Sequence, residues 1–377
     1  MTAIVYFANQ FADAKGHGMA RYARELHGAL ILRRTLNITP VAGWSSLSAG
    51  PLEDLRRDTG LRLLPTGRRG TAWGWSFLRQ PRAEWMLPGP VDVFHAVAMG
   101  YPVATGKPLV VTVHDLGPLT HPQYFSNNRP WLMRAALQQA VNHGAAIVCI
   151  SQATAEEVRS LHGSAADDRL HVVHSGVSAP FFVDPGREAL QGLVLPPNGV
   201  PFILTAGKIS PRKNVQGVIA SLKIAMQDIP HHLVVTGGDG WDMEQITALL
   251  DNETLRRRVH MVGYVSDEAL RALYRRAAMY LHPSLYEGFG LTLLEAMAGG
   301  TPVITSNLSS LPEIAGDAAL LVDPNNPEAI ADAVLTLAQD ADLASRLRQS
   351  GRARAEQFTW ARTAKQMHAI YDRAAAG

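Results

Sequence analysis

Short apolar stretches alternate with longer amphipathic stretches along almost the whole chain of 377 residues. The first series predicts strands at 3–7, 91–95, 109–113 and 146–150, and helices at 19–32, 130–141 and 153–161. This alternation is typical of parallel sheets covered by helices, because successive parallel strands need a crossover connection. The sequence therefore predicts an α/β fold.

A second series of the same kind fills the other half of the chain. It predicts strands at 202–206, 232–236 and 259–262, and helices at 215–226, 243–250 and 267–276. A chain of this length exceeds what one hydrophobic core usually serves, and the stretch 180–201 between the two series is rich in proline and glycine. We expect two domains, 1–185 and 186–360, followed by a last helix at about 361–374. The pattern alone leaves open which domain that helix packs on.

The composition is that of an ordinary globular protein, with 47% apolar residues, 18% charged residues and a net charge of +2. A nucleic-acid-binding surface would need a much stronger basic balance. The single cysteine, Cys149, excludes a disulfide within the chain and fits a reducing cytoplasm. Residues 2–7 lack the basic region of a signal peptide, and no apolar run is long enough to span a membrane. We therefore expect a cytoplasmic protein.

The stretch 282–302, HPSLYEGFGLTLLEAMAGGTP, is the strongest candidate for a ligand site. Gly288 and Gly290 permit a tight turn after a short strand, and a helix is predicted at 291–298. The N-terminus of a helix attracts anions, because its first N–H groups and its dipole both favour negative charge. Similar glycine turns are also common in α/β proteins where they bind nothing.

Charged side chains accompany this turn and one other. Glu287 lies in the turn and Glu295 in the following helix, where carboxylates suit the recognition of sugar hydroxyls. The loop Gly207–Asn214 follows the predicted strand 202–206 and places Arg212 and Lys213 before a helix. These side chains suit a phosphate, although a solvated basic turn would have the same composition.

Both segments resemble elements of the retaining family 4 glycosyltransferases, which have the GT-B architecture of two Rossmann-like domains facing across a cleft. The stretch 282–302 is similar to their E-x7-E segment, and Gly207–Asn214 is similar to their G-x4-R-K-N element. Residues 112–125 match the HDL-x-P-x-x-x-P-x-x-F pattern of mannosyl-type members, and residues 263–267 match the turn that reads the nucleotide base. The resemblance covers nearly the whole chain.

The opening loop departs from the family pattern G-G-x-G-R-Y, because His17 and Ala20 stand where glycines are usual. Gly18 is retained, so the backbone is still expected to approach the donor, whereas His17 would reshape the acceptor side. The resemblance also implies that residues 361–377 cross back onto the first domain. That domain would face the acceptor, and the second would bind the nucleotide sugar.

The resemblance implies transfer of a hexosyl unit from a nucleoside-diphosphate sugar, with Arg212 and Lys213 stabilising the charge on the leaving diphosphate. Glu287 would bind hydroxyls of the transferred sugar, and His114 would contact the sugar near its C6 position. The leaving phosphate would accept the proton of the acceptor, so no carboxylate would act as nucleophile. The donor-binding positions implied are Gly18, Gly207, Tyr264, Val265, Gly288, Phe289, Gly290, Leu291 and Glu295, with Glu295 on the ribose.

No Asp-x-Asp triplet suited to metal–diphosphate binding, no metal-spaced cluster and no G-x-G-x-x-G fingerprint is found, so we expect neither a metal nor another cofactor. The HDL and P-R-K-N patterns resemble the branch that uses GDP-mannose or a GDP-deoxymannose such as GDP-rhamnose. Acceptors in that branch are growing surface polysaccharides, including lipid-linked O-antigen. A UDP- or dTDP-sugar donor stays open, as does a sugar-nucleotide 2-epimerase with the same two lobes. A non-enzymatic solute-binding module is disfavoured, because it would need an export signal.

Residues 68–79, RRGTAWGWSFLR, mix arginines with large apolar side chains. They are compatible with an ordinary loop and core helix, or with a surface that lies on a bilayer or on a lipid-linked acceptor. Residues 1–180 contain 17 basic and 12 acidic side chains, a mild excess that would suit an anionic surface. Peripheral contact with the cytoplasmic face of the inner membrane is therefore kept as a hypothesis.

Overall fold

The computed structural model describes residues 1–12, 18–43, 56–125, 129–238, 240 and 243–377. The chain divides into two compact units. The first unit comprises Met1–Pro122, Asn127–Gly176 and Thr359–Gly377, and the second comprises Gln123–Ser126 and Val177–Phe358. The stretch 180–201 lies within the second unit, since the chain leaves the first unit at Gly176.

The first unit is built on a seven-stranded parallel sheet in the order β3-β2-β1-β4-β5-β6-β7. Its strands are β1 Thr2–Phe7, β2 Leu36–Gly43, β3 Arg62–Leu64, β4 Val93–Ala96, β5 Leu109–Val113, β6 Ala146–Cys149 and β7 Leu170–Val172. Its helices are α1 Gly18–Ile31, α2 Gly67–Trp73, α3 Gly117–Thr120, α4 Pro130–His143 and α5 Gln152–His162. The strands are buried on both faces, as expected when helices cover a parallel sheet.

The second unit is built on a six-stranded parallel sheet in the order β10-β9-β8-β11-β12-β13. Its strands are β8 Phe202–Ala206, β9 His232–Thr236, β10 Val259–Gly263, β11 Met279–His282, β12 Val303–Ser306 and β13 Leu320–Val322. Its helices are α6 Val215–Ala225, α7 Met243–Leu249, α8 Glu253–Arg258, α9 Asp267–Arg276, α10 Leu291–Ala298, α11 Leu311–Ala315, α12 Pro327–Gln339 and α13 Ala341–Ala355. The predicted α/β fold with two Rossmann-like sheets is confirmed.

The last helix, α14 (Trp360–Ala376), packs on α1 and on the sheet of the first unit. The hydroxyl of Tyr371 is hydrogen-bonded to His95 Nδ1 at 2.8 Å, and the Thr363 hydroxyl donates to the carbonyl oxygen of His174 at 2.8 Å. Thr359 caps the helix by accepting from the N–H of Arg362. The helix α14 therefore belongs to the first unit. No helix among the described residues has both the length and the apolar character needed to cross a membrane.

We predict that Gly176→Ala lowers the free energy of unfolding by about 2 kcal/mol, the cost typical of overpacking a tight site. A Cβ at this position would lie 2.3 Å from the backbone nitrogen of Trp360 and 2.6 Å from the carbonyl carbon of Thr359. Thermal unfolding followed by circular dichroism measures the effect.

Gly28→Ala is the matched control, because a Cβ at Gly28 in α1 has no heavy atom within 4 Å. This change should stabilise the helix by up to about 1 kcal/mol. Equal unfolding midpoints for Gly176→Ala and the unmodified protein would contradict the close approach of the two chain segments.

Candidate active site

The strand order of the second unit reverses between β8 and β11. From β8 the sheet extends through β9 and β10 on one side, and through β11, β12 and β13 on the other. At such a point the loops that follow the two central strands diverge, and open α/β sheets bind ligands in the crevice between them. The loop Gly207–Asn214 follows β8 and the loop Pro283–Gly290 follows β11. Both predicted motifs therefore lie at this edge of the sheet.

Asn214 joins the two loops. It has a left-handed backbone with φ 53°, and its Oδ1 caps α6 by accepting from the N–H of Gly217 at 3.2 Å. Its Nδ2 donates to the carbonyl oxygens of Pro283 at 3.1 Å and Pro324 at 2.7 Å. One side chain therefore begins the helix and fixes the neighbouring loops.

Gly207 makes room for the Lys213 side chain. Its φ is +128°, and a Cβ there would lie 3.1 Å from Lys213 Cε. The end of the same loop is held by Leu285, whose N–H donates to the carbonyl oxygen of Arg212 at 2.7 Å. The backbone of this loop thus sets the direction of both cationic side chains.

The carboxylate of Glu287 is the centre of the site. Its Oε1 lies 2.6 Å from Lys213 Nζ, and its Oε2 lies 2.7 Å from Arg212 Nη1. The Ser284 hydroxyl donates to Oε1 at 3.1 Å, and Lys213 Nζ also lies 3.3 Å from Nε2 of His282. Because an ammonium has only donors, Nε2 of His282 is the acceptor. The two predicted cations are thus bridged by the predicted carboxylate.

Burial and charge act against each other in this cluster. Burial alone would raise the pKa of the Glu287 carboxyl, but the charges of Arg212 and Lys213 outweigh burial and hold that pKa well below its ordinary value. Burial lowers the pKa of Lys213, while Glu287 and, more weakly, Glu295 raise it. Burial and the Lys213 charge lower the pKa of His282 to about 4, so His282 is neutral at pH 7.

The backbone of Glu287 is fixed by two serines that the sequence analysis missed. Its N–H donates to Ser309 Oγ at 2.9 Å, and its carbonyl oxygen accepts from the hydroxyls of Ser309 and Ser310. Both serines follow β12, which is the neighbour of β11. The carboxyl ends of parallel neighbours share one edge of a sheet, so the serines that follow the apolar run of β12 were the available signal. His282 was missed as a partner of Lys213, although it lies inside the motif.

The turn before α10 has the predicted glycine geometry at Gly290, where φ is +105° and a Cβ would lie 2.8 Å from Leu311 Cδ2. Phe289 is buried against Phe358 with ring centroids 6.2 Å apart. Glu295 in α10 is only 2% exposed. The other predicted positions of this turn are partly buried: Gly288 and Leu291. The turn before α10 and the first half of that helix are therefore held in place by packing against the rest of the second unit.

The predicted base-reading turn lies at the same edge of the sheet, two strands away from β8. β10 ends at Gly263, whose φ is +67°. Tyr264 is 59% exposed, and Val265 is partly buried. Ser266 then caps α9 by accepting from the N–H of Ala269 at 3.1 Å.

Two predicted site residues belong to the first unit. His114 follows β5, and its Nε2 lies 2.8 Å from the carbonyl oxygen of Val97, so Nε2 carries the proton and Nδ1 is the acceptor. Burial lowers the pKa of His114 to about 4 against the opposing effect of that carbonyl, and the Tyr22 ring packs edge-on at 4.6 Å. Gly18 is the exposed first residue of α1, and His17 lies outside the described residues.

Metal-ligating side chains do not cluster in the part of the chain that the structure describes. No group of three or more His, Cys, Asp or Glu residues there is arranged to hold a metal ion.

We predict that Glu287→Gln lowers the free energy of unfolding at pH 7 by about 3 kcal/mol, because it leaves two partly or fully buried cations without their counter-charge. The carboxyl has a depressed pKa, so its stabilisation is present above the unfolded-state pKa of about 4.3 and is lost as the pH falls through the folded-state pKa. The difference between the two proteins should therefore shrink on acidification. Urea unfolding at several pH values measures it.

Glu253→Gln is the control, since Glu253 forms an exposed i,i+4 pair with Arg257 on α8. An exposed pair contributes little, so this change should have a small effect at every pH. A difference for Glu287→Gln that stays constant or grows as the pH falls would contradict the ion-pair geometry.

Known proteins match both units. The family description "Glycosyltransferase Family 4" matches residues 16–179, and "Glycosyl transferases group 1" matches residues 188–354. O-antigen chain mannosyltransferase B of Escherichia coli is 30% identical over 356 residues, which cover 91% of this chain and 92% of that protein.

Solved structures share the fold of the whole chain. Sucrose-phosphate synthase of Thermosynechococcus elongatus covers 99% of both chains with a TM-score of 0.76 and 21% identity. HepE of Anabaena, solved with UDP and glucose, covers 99% of this chain and 100% of its own with a TM-score of 0.72 and 17% identity. The chain therefore belongs to the glycosyl transferases group 1 and family 4 proteins, the GT-B glycosyltransferases that its motifs resemble.

Proposed function

We propose that the protein is a retaining glycosyltransferase that transfers mannose, or a deoxymannose such as rhamnose, from a GDP-linked sugar to a growing surface polysaccharide or O-antigen. The observation that carries the proposal is the Arg212–Lys213–Glu287 cluster at the strand-order reversal of the second unit. The similarity to a protein named O-antigen chain mannosyltransferase B, over nine-tenths of both chains, supports the choice of sugar and acceptor.

The cationic pair suits a leaving diphosphate. Negative charge develops on the β-phosphate oxygen as the bond to the sugar breaks, and fixed positive groups stabilise that charge without reorganising. Lys213 is buried, so its ammonium would act on the diphosphate as a desolvated point charge. Arg212 keeps 28% of its side chain exposed, so its guanidinium would be accessible for a bidentate contact with a phosphate. The backbone amides of Gly288, Phe289 and Gly290 would add donors beside the start of α10.

The carboxylates suit hydroxyl recognition. Glu287 would bind hydroxyls of the transferred sugar while it keeps Arg212 and Lys213 in place, and Glu295 would bind the ribose. Tyr264 and Val265 would face the base, and Gly207 would allow the backbone to approach the phosphates.

In the proposed reaction, the bond between the sugar C1 and the β-phosphate oxygen breaks as C1 bonds to the acceptor oxygen on the same face. The proton of the acceptor hydroxyl passes to the leaving phosphate, so the products are a glycoside and a nucleoside diphosphate. Glu287 is then a binding group and not a nucleophile. We propose no metal in this step, because Arg212, Lys213 and the α10 dipole supply positive charge.

We also propose roles for the first unit. Its His114 would accept a hydrogen bond from the sugar near C6 through Nδ1, since Nε2 donates to Val97. Gly18 would allow α1 to approach the donor, and this unit would face the acceptor while the second binds the nucleotide. A cytoplasmic location and peripheral contact with the inner membrane complete the proposal, with the single Cys149 favouring a reducing compartment.

A UDP-sugar donor is the second candidate. HepE, which shares the fold, was solved with UDP and glucose, and that observation favours a uridine nucleotide in a site of this architecture. At 17% identity the similarity extends to the fold alone, so the GDP-sugar remains the first choice.

We predict that GDP raises the unfolding temperature more than UDP or dTDP does. A ligand at 100 times its Kd that binds only the folded protein stabilises it by about 2.7 kcal/mol. Thermal unfolding with the three nucleotides in parallel measures this. Stabilisation by UDP alone would replace the GDP assignment by the second candidate, and no stabilisation by any nucleotide would contradict a donor site.

We predict that Arg212→Ala, Lys213→Ala and Glu287→Ala each lower the transfer rate by roughly 100-fold or more, the usual cost of losing one group that stabilises developing charge. Transfer of radiolabelled mannose from GDP-mannose to O-antigen glycan measures the rate. Lys223→Ala, an exposed lysine on α6, is the control and should keep the full rate. Full rates in all three site variants would refute the assignment, and donor turnover without any acceptor would identify a 2-epimerase.

A further inference from the structure

Three large aromatic side chains on the first unit are exposed, and the middle one, Phe77, contacts the other two. Trp73, Phe77 and Trp131 are 59%, 60% and 52% exposed. The Trp73 and Phe77 ring centroids lie 6.2 Å apart, and those of Phe77 and Trp131 lie 6.1 Å apart. Single exposed apolar residues are ordinary, but a contiguous apolar patch marks a surface that contacts something else.

The segment that carries Trp73 and Phe77 is anchored to the core of the first unit. After α2 the chain makes a π-helical turn at Gly74–Leu78, in which Trp75 is fully buried and its Nε1 donates to the carbonyl oxygen of Pro81 at 2.8 Å. A Cβ at Gly74 would lie 2.5 Å from the carbonyl oxygen of Gln80, so the turn closes tightly. The buried Trp75 thus anchors the turn while its neighbours Trp73 and Phe77 stay in solvent.

Only positive charges accompany the three rings in the chain. Arg79 ends the π-helical turn, and Arg129 precedes α4. Arg134 lies three residues after Trp131 in α4, so the two share one face of the helix. All three arginines are exposed. No Asp or Glu occurs between Asp58 and Glu84 or between Asp115 and Glu156.

We propose that this aromatic–arginine face binds an anionic phospholipid bilayer; it comprises Trp73, Phe77, Arg79, Arg129, Trp131 and Arg134. Tryptophan and phenylalanine insert at the boundary between headgroups and acyl chains, and arginines are attracted to anionic headgroups. A second copy of the chain is a poorer occupant, because pairing the face with itself would bring arginines together. The inference gives the membrane contact a surface and does not depend on which sugar or nucleotide the protein uses.

The test is flotation of the full chain with phosphatidylcholine vesicles that contain or lack phosphatidylglycerol. We expect the protein to bind vesicles that contain phosphatidylglycerol more tightly than vesicles of phosphatidylcholine alone. Added salt should weaken this binding, because it screens the attraction between the arginines and the anionic headgroups. The triple variant Trp73→Ala, Phe77→Ala and Trp131→Ala should bind on the order of 100-fold more weakly, because three half-buried apolar contacts are lost. The blue shift of tryptophan emission on vesicle addition should disappear with it.

The contribution of charge is tested with the variants Arg79→Gln, Arg129→Gln and Arg134→Gln in the same flotation assay. Each substitution should weaken binding to anionic vesicles roughly fivefold, because it removes one attraction to the headgroups. Its control is the double variant Arg346→Gln and Arg348→Gln, two exposed arginines of α13 in the second unit, which should bind as the unmodified protein does.

Trp85→Ala is the control for the aromatic triple variant. Trp85 is 66% exposed in the same unit, but Arg82 lies over its ring at 5.4 Å. This variant should keep its vesicle binding. Binding that is unchanged in the aromatic triple variant, or equal on vesicles without phosphatidylglycerol, would overturn the proposal. If the unmodified protein sediments as a dimer and the aromatic triple variant sediments as a monomer, the face would instead bind a second copy of the chain. Nucleotide-induced stabilisation should be the same in all these variants, so failure here is separable from failure of the proposed transferase activity.

Discussion

A single buried carboxylate, that of Glu287, binds side chains from the two loops that diverge at the strand-order reversal of the second unit. It bridges Arg212 and Lys213 through its two oxygens. Placing an ammonium as buried as that of Lys213 away from water is costly unless an opposite charge and hydrogen bonds compensate it. Because Glu287 supplies that charge, the loop after β8 can hold two cations at one edge of the sheet, and Ser309 and Ser310 fix the backbone from which the carboxylate extends.

The same interaction explains why the proposed chemistry needs no separate acid–base pair. A carboxylate held between two cations has its pKa well below the ordinary value and is therefore a weak proton acceptor at neutral pH. It is better suited to position Arg212 and Lys213 and to accept from sugar hydroxyls. His282, neutral and buried, accepts from Lys213 and completes the set of contacts that directs the ammonium.

The regular elements were largely predictable, and the omissions have physical reasons. The strands at 202–206 and 232–236 agree with the sequence pattern because they are continuous apolar runs. β2 was not predicted, since Pro40 lies within it, and a proline cannot donate to a sheet. The register resolves this: Pro40 lies opposite Tyr6 of β1, whereas β3 pairs with β2 only from Val41 onwards. The sequence pattern of one strand does not specify which neighbouring strands pair with it or in which register.

The sequence by itself determined the two Rossmann-like sheets, the glycine turns and the residue types of the candidate site, because period, capping and turn chemistry are local properties. Only the tertiary structure decided that Glu287 pairs with Arg212 and Lys213, 75 and 74 positions away along the chain, and that Trp73, Phe77 and Trp131 form one exposed cluster. These contacts depend on strand order and helix packing. Sheet order brings distant loops to one edge, and neither spacing nor composition specifies that order.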